Sequence, residues 1–315
     1  MTSQMWRLCG KNFLSDYVFE SPVPHGEGLP DFCHEHSNTP LWSNETWRGV
    51  QKINSGATHT PVEVHRGDAE YWLNVNNKTN YIVRKNEILS FTKFPEDRLI
   101  NEINFLDIAF PAYLELIGIP VLHASAVSIG GVAIVFIAPS GGGKSSIAAR
   151  MTQFGAKFLT DDVFPISIDK EQFSTWAYYP QIRLWPDASS IIFKADQCDL
   201  ICERWPKNRI VLDDCRIEEL EVKLPIGAIY IVEPIIDSAE FGILPLDGHA
   251  APMMLLRNAP AFAMLDLETR VDRTKTLVEL SRIIPIRILK YPKRYELLDS
   301  VINILFEDFN YLGIY

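Results

Sequence analysis

Residues 132–160 read VAIVFIAPSGGGKSSIAARMTQFGAKFLT, and no other stretch of the chain restricts its fold so tightly. An apolar, β-branched run passes straight into three consecutive glycines and then Lys-Ser-Ser. Ile147, Ala148, Met151 and Phe154 follow on one helical face, Gly155 supplies a stop, and KFLT reads as a short buried strand. Strand, glycine loop, helix and strand in that order predict an α/β unit with the loop at the mouth of the helix. Upstream, HASAVSI and Gly130-Gly131 make the first strand the return arm of a β-hairpin. Downstream, the second strand closes on Asp161-Asp162.

The loop chemistry follows from the residue types. Gly141, Gly142 and Gly143 let the backbone turn tightly and aim its N–H groups inward, and the helix behind them adds the positive end of its dipole. Lys144 is placed to reach phosphates and the Ser145 hydroxyl to ligate Mg²⁺. The usual pattern for such a loop is G-x-x-x-x-G-K-[ST]; here it is A-P-S-G-G-G-K-S, with Ala138 at the first position. The first glycine eases the exit from the strand, whereas phosphate contacts lie in the later positions, so the change is tolerable. A nucleotide site is therefore expected, with Ser140, Gly141, Gly142, Gly143, Lys144, Ser145 and Ser146 as its loop. A solvated glycine turn is the bland alternative, and the flanking strand and helix speak against it.

A triphosphate site also needs acidic groups on the metal side. Asp161-Asp162 ends the strand that follows the loop helix, which predicts that both carboxylates stand near the phosphates, one for the metal and one for a proton. Asp213-Asp214 is a similar pair with no such neighbour and is left unassigned. His123 opens the hairpin that delivers the loop. A histidine in an apolar stretch is more often structural, so its residue type alone leaves the role open.

Residues 123–162, HASAVSIGGVAIVFIAPSGGGKSSIAARMTQFGAKFLTDD, resemble the catalytic core of the HPr kinase/phosphorylase family, serine kinases whose P-loop domain is related to phosphoenolpyruvate carboxykinase. The resemblance implies an ATP- and Mg²⁺-dependent kinase that phosphorylates a serine on a protein or peptide. It implies that Lys144 binds phosphate, Ser145 and Asp162 serve Mg²⁺, Asp161 is the base, and His123 tunes it. Where the family carries a glutamate beside Arg-Gly, this chain has YYPQIRLWPDA, residues 178–188, in which Arg183 is the plausible charge partner for phosphate. Neither the reverse, phosphorolytic reaction nor the family's hexamer follows from that segment; a homo-oligomer of some kind stays open. RLWPDA and the late IPIRILKYPKRYELL resemble HPr-kinase-like proteins of ribosomal peptide pathways such as lasso peptides, which implies a precursor-peptide serine as acceptor. Two other readings remain. One is a small-molecule kinase or carboxykinase-like enzyme on the same loop, and the other a noncatalytic nucleotide-sensing module.

The rest of the chain sets the frame. With 315 residues and a hydrophobic fraction of 47%, there is material for a substantial core. A net charge of −10 argues against a nucleic-acid partner. The N-terminus lacks a secretory pattern, and IPVLHASAVSIGGVAIVFIAP is broken by His123, two serines and Gly-Gly, so neither export nor a membrane is expected. Five unevenly spaced cysteines suit free thiols in a cytoplasmic protein. Residues 1–60 read as loops with short strands, 61–93 as a small antiparallel sheet, and 95–119 as a helix that Pro111 should kink or divide. Strands are expected in PIGAIYIVEP, EFGILPL and PIRILKY, and helices over 248–258, 272–283 and 293–308. The expected division is a β-rich domain over 1–110, a candidate for substrate recognition, and a mixed α/β kinase domain over 111–315.

Three smaller features complete the reading. Cys33, His34 and His36 in CHEHSNT are metal-ligand types without a distant partner pair. Cys198 and Cys202 have the wrong spacing for a redox pair and read as packing. Arg204, Lys207 and Arg209 read as a solvated face sooner than a phosphate or peptide clamp, and Trp6, Trp42, Trp47 and Trp72 as core sooner than a peptide surface.

Overall fold

A computed structural model describes residues 3–42, 51–54, 61–67, 69–170, 172–203, 205–212, 222–235, 241–246 and 248–314. Trp47, Arg204, Asp213, Asp214 and Cys215 lie outside the described residues. The architecture is mixed α/β.

The N-terminal part is built on eight strands: β1 (Gln4–Leu8), β2 (Lys11–Ser15), β3 (Phe32–His36), β4 (Gln51–Asn54), β5 (Pro61–Arg66), β6 (Tyr71–Val75), β7 (Thr79–Val83) and β8 (Glu87–Thr92). They form one sheet in the order β1-β2-β3-β8-β7-β6-β5-β4. The antiparallel meander expected over 61–93 is its second half. The sheet is larger than that meander and mixed, because β3 pairs in parallel with both β2 and β8. Those pairings join strands far apart in sequence, and local alternation carries no sign of them.

This sheet packs on a continuous helical segment made of α1 (Arg98–Asn104), a π-helical turn (Phe105–Ala109) and α2 (Phe110–Leu116). Pro111 does not divide it. The Phe110 N–H bonds the Phe105 carbonyl five residues back, and the widened turn lies just before the proline that could not have donated in its place. Phe13 stacks on Phe32 at 5.0 Å, and Phe32 meets Tyr113 at 4.2 Å, so the helix and the sheet share one aromatic core. The helical segment runs through position 110 without a break.

The second sheet follows the sequence reading closely. After the two-residue β9 (Val121–Leu122), β10 (Ser125–Ile129) and β11 (Val132–Ile137) form the hairpin around Gly130-Gly131, with Ser125 opposite Phe136. The loop helix is α3 (Lys144–Gln153), and β12 (Lys157–Thr160) returns antiparallel to β10. Three short strands come next: β13 (Phe164–Pro165), β14 (Ser167–Asp169) and β15 (Gln172–Thr175). A small separate sheet contains β16 (Gln181–Leu184), β17 (Asp199–Cys202) and β18 (Trp205–Val211), with α4 (Pro186–Ile192) between the first two. The long β19 (Leu224–Ile235) runs parallel to β11 on one side and to the later β21 (Ile286–Pro292) on the other. Between them lie β20 (Gly242–Pro245), α5 (Ala251–Arg257) and α6 (Leu267–Ile283), and α7 (Leu298–Tyr311) ends the fold.

The period of two along the hairpin strands decides the layers. Val127, Ile134 and Phe136 face a core completed by Ile147 and Met151 of α3 and Leu305 and Phe309 of α7. Their neighbours Ala126, Val135 and Ile137 face the opposite core, completed by Leu255 of α5 and Leu277 and Leu280 of α6. Both faces are covered, so the strands read as unbroken apolar runs. The sheet ends at the loop, where β11 stops and α3 starts. No helix among the described residues is long and apolar enough to cross a membrane.

Candidate functional site

The loop between β11 and α3 is a tight turn, closed by the Gly142 N–H donating to the Pro139 carbonyl at 2.8 Å. Gly141 and Gly143 adopt left-handed φ values of 75° and 99°. Gly143 is further constrained from outside the loop, because a Cβ there would lie 1.8 Å from the Tyr291 hydroxyl. Tyr291, delivered by β21, donates to the Gly142 carbonyl at 3.2 Å and holds the turn from behind. At Gly142 a Cβ would meet the Ala138 Cβ at 2.7 Å. Ala138 is itself buried in the α3 core, which is the local reason a small side chain serves at that position.

The residues around the loop converge as the sequence order predicts, but the two aspartates differ in surroundings. Asp161 lies on the serine side. Its Oδ1 accepts from Ser145 Oγ at 2.7 Å and from Ser125 Oγ at 2.5 Å. Asp162 lies on the cationic side. Its Oδ1 is 2.5 Å from Lys144 Nζ, and its Oδ2 is 2.9 Å from Arg183 Nη2. The family resemblance implies the metal for Asp162 and the proton for Asp161, whereas the carboxylate beside Ser145 is that of Asp161. Asp162 takes its direction from a left-handed backbone, φ 73°, which is uncommon for a side-chain-bearing residue and characteristic of functional sites.

His123 stands beside Asp162. Its Nδ1 lies 3.1 Å from the Asp162 carbonyl, which can only accept, so the proton sits on Nδ1 and Nε2 is left as an acceptor. Its backbone N–H donates to the Asn258 carbonyl at 2.7 Å. Burial, reinforced by the nearby Lys144 charge, holds the imidazole down at about 4, so it is neutral near pH 7.

The charges are buried and matched. Lys144, Asp161, Asp162 and Arg183 are all at most 6% exposed. Burial opposes ionisation of Asp162, but Lys144, His123 and Arg183 outweigh it and hold the carboxyl well below its usual range. Burial likewise opposes the Lys144 charge, and Asp162 and Asp161 outweigh it in the other direction. Such a cluster fits together only when complete, because a buried charge deprived of its partner is strongly unfavourable.

Asp107 is the residue the sequence reading missed. It lies on the π-helical turn at the base of the N-terminal core, and its Oδ2 is 2.5 Å from Arg183 Nη2. The Tyr179 hydroxyl donates to its other oxygen at 3.3 Å. Burial raises its carboxyl to about 6 against the pull of Arg183. A lone aspartate in FLDIAF carries no motif, so only the fold brings it to the site; the π-turn beneath it is a common mark of functional positions.

Loop residues Ser140, Gly141, Gly143, Lys144, Ser145 and Ser146 line a cleft of about 50 Å³; Gly142 is turned toward Tyr291. His123, Asp162, Arg183, Trp185 and Lys207 line the same cleft. A larger cavity of about 470 Å³ lies around Gly130, Gly131 and Phe154 at the other end of the hairpin and contains none of these groups. In chemical terms the cleft offers backbone N–H groups and cations for a polyanion. Its hydroxyl and carboxylate oxygens are the donor types a hard cation takes, and a carboxylate stands beside a neutral imidazole.

The other candidates fall elsewhere. His34 spends Nδ1 on Ser15 Oγ at 3.0 Å and Nε2 on Ser90 Oγ at 2.9 Å, and no metal-type cluster occurs among the described residues. Cys198 and Cys202 are free. Trp6 is core, and Trp42 stacks on Trp72 at 5.5 Å. Lys207 is not on a solvated face: it is 9% exposed.

Comparison with known proteins adds little to this geometry. No family model matches the chain, and no curated protein matches it. Among solved structures it is similar to the HPr(Ser) kinase/phosphatase from Coxiella burnetii, at 10% identity and a TM-score of 0.31, over 61% of this chain and 98% of that one. A likeness at that level carries no argument about fold or activity, and the case for function rests on the site.

Proposed function

We propose that this chain is an ATP- and Mg²⁺-dependent kinase with an HPr-kinase-like P-loop core, which transfers the γ-phosphate of ATP to a serine hydroxyl of a protein or ribosomally made peptide. The observation that carries the reading is that Lys144, Ser145, Asp162 and His123 line one cleft at the start of α3, with Asp161 bonded to the Ser145 hydroxyl. The loop amides and Lys144 hold the phosphates.

The donor set fits Mg²⁺. Ser145 Oγ and Asp161 Oδ1 are hard oxygen donors bonded to each other at 2.7 Å. Ser145 and Asp161 would therefore hold the ion, directly or through water. When bound, it neutralises charge on the phosphate oxygens as they move toward the transition state.

This leaves the proton to Asp162, with His123 beside it. The serine oxygen attacks the γ-phosphorus in line, the bond from that phosphorus to the β,γ-bridging oxygen breaks, ADP departs, and the hydroxyl proton passes to Asp162. Paired with Lys144 and Arg183, Asp162 is a poor proton acceptor. Phosphates that draw those two cations to themselves raise its proton affinity, so the base strengthens only when nucleotide is in place. Most of the rate then comes from positioning and charge stabilisation.

The test is transfer of label from γ-³²P-ATP to candidate carrier proteins and to peptides encoded nearby, followed by acid hydrolysis. Labelled phosphoserine is expected. Label in a free metabolite with no protein acceptor present, or nucleotide binding without any transfer, overturns the reading.

A further inference from the structure

Lys207 lines the same cleft as the loop. In the small sheet, Arg183 pairs with Arg209 and Leu184 with Asn208, so the same register sets Lys207 opposite Trp185 and on the same face as Arg183. Its ammonium stands 5.8 Å from the Trp185 ring centroid and 5.9 Å from that of Trp205. Arg183 shares the second ring, at 5.5 Å.

The state of these two cations is unusual. Lys207 is 9% exposed and lines the cleft, yet its ammonium makes no ion pair with any described residue. Two aromatic faces compensate an ammonium only in part, and a buried charge without a counter-ion is unfavourable. Burial accordingly pulls its proton affinity down, with distant help from Asp162 in the opposite direction. Arg183 is in a similar position with one of its nitrogens. Nη2 is spent on Asp107 and Asp162, while Nη1 is buried without a hydrogen-bond partner. One buried Arg183 donor thus lacks an acceptor, and the Lys207 ammonium near it has only aromatic faces as close partners.

An arriving phosphoryl group supplies what they lack: two or more negative charges and three acceptor oxygens within a small volume. The loop amides and Lys144 take the inner phosphates. We propose that Lys207 and Arg183 form a separate subsite for the terminal phosphoryl group of a nucleoside triphosphate within the cleft that the loop also lines. The inference rests on the nucleotide reading above and adds to it a residue outside the loop motif. The two tryptophan rings flank the ammonium.

Isothermal titration of the full chain with Mg²⁺ and either ADP or the non-hydrolysable β,γ-imido analogue of ATP tests this, using wild type, Lys207→Met and Lys207→Arg. Wild type is expected to bind the triphosphate roughly ten- to a hundredfold more tightly than ADP, the range of one or two charged hydrogen bonds. Lys207→Met is expected to lose that preference while keeping its ADP affinity, which also shows that it is folded, and Lys207→Arg to keep part of it. An unchanged triphosphate preference in Lys207→Met overturns the subsite and leaves the nucleotide reading standing. Failure of wild type to bind either nucleotide overturns both. If Lys207→Met instead loses affinity for a phosphoserine peptide with its triphosphate preference intact, the subsite belongs to the acceptor, and the assignment to the nucleotide is wrong.

Discussion

Lys144 Nζ lies 2.5 Å from Asp162 Oδ1 but 3.6 Å from the nearer oxygen of Asp161. The loop lysine is therefore held chiefly by the second aspartate, and any phosphate that takes it must compete with that carboxylate. Neutralising the lysine removes both the phosphate contact and the partner of Asp162. Lys144→Met is expected to abolish transfer and to weaken ATP binding roughly ten- to a hundredfold, the range of one charged hydrogen bond. Titration calorimetry beside a label-transfer assay checks this, and wild-type affinity in the variant would contradict it.

The two aspartates are expected to separate by phenotype. Asp161→Asn takes a charge from the serine side, so it is expected to raise the Mg²⁺ concentration needed for half-maximal rate by roughly tenfold or more. Asp162→Asn is expected to leave the Mg²⁺ requirement near wild type and to cut the rate about 10²–10⁴-fold, the usual range for a general base. Rate against Mg²⁺ concentration distinguishes them, and an exchange of the two patterns would restore the opposite assignment.

Gly143 joins the loop to β21 through a contact that no other residue tolerates. A Cβ at 1.8 Å from the Tyr291 hydroxyl, on a backbone at φ 99°, predicts that Gly143→Ala destabilises the fold by about 2–4 kcal/mol and impairs the loop. Tyr291→Phe in the same chain is expected to recover only part of this, because the ring carbon at 3.0 Å and the backbone angle remain. Denaturant midpoints of the three variants read the ladder directly, and a wild-type midpoint for Gly143→Ala would show that the loop contact is misplaced.

His34 makes stability depend on pH. Burial lowers its imidazole to about 3, with His36 adding to the effect, so the unfolded chain binds this proton more readily than the folded one. Its contribution therefore rises as pH climbs from about 3 to the ordinary histidine value of about 6.5 and is lost as pH falls through that window. His34→Gln, which can keep bonds to Ser15 and Ser90, is expected to show a shallower rise in unfolding free energy between pH 4.5 and pH 7. Equal slopes in the two proteins would refute the buried neutral histidine.

How far the sequence foretold this arrangement differs from residue to residue. The hairpin, loop, helix and acidic pair are contiguous, and each has a local signal: β-branched runs, glycines, a helical face, a stop at Gly155. They stand where the sequence reading places them. Asp107 and Tyr291 reach the same cluster from outside that block through tertiary packing, Ser125 reaches it from within the hairpin, and their residue types are unremarkable in context. Which of two adjacent carboxylates meets Ser145 depends on a single left-handed residue, Asp162, and no spacing rule encodes that. Lys207 resembled a solvated charge because burial by Trp185 and Trp205 appears only once β16 and β18 pair. In the N-terminal part the parallel placement of β3 between β2 and β8 joins segments too distant for periodicity to report.

The central claim is that phosphate leaves ATP for a serine with Asp162 taking the proton. Its most direct measurement pairs ATP affinity with γ-³²P transfer to an acceptor that wild type labels on serine, for wild type and Asp162→Asn under identical conditions. The account predicts that Asp162→Asn binds ATP at least as tightly as wild type, since Lys144 and Arg183 are released to the phosphates, and transfers label at least a hundredfold more slowly. Transfer at the wild-type rate by Asp162→Asn would contradict it.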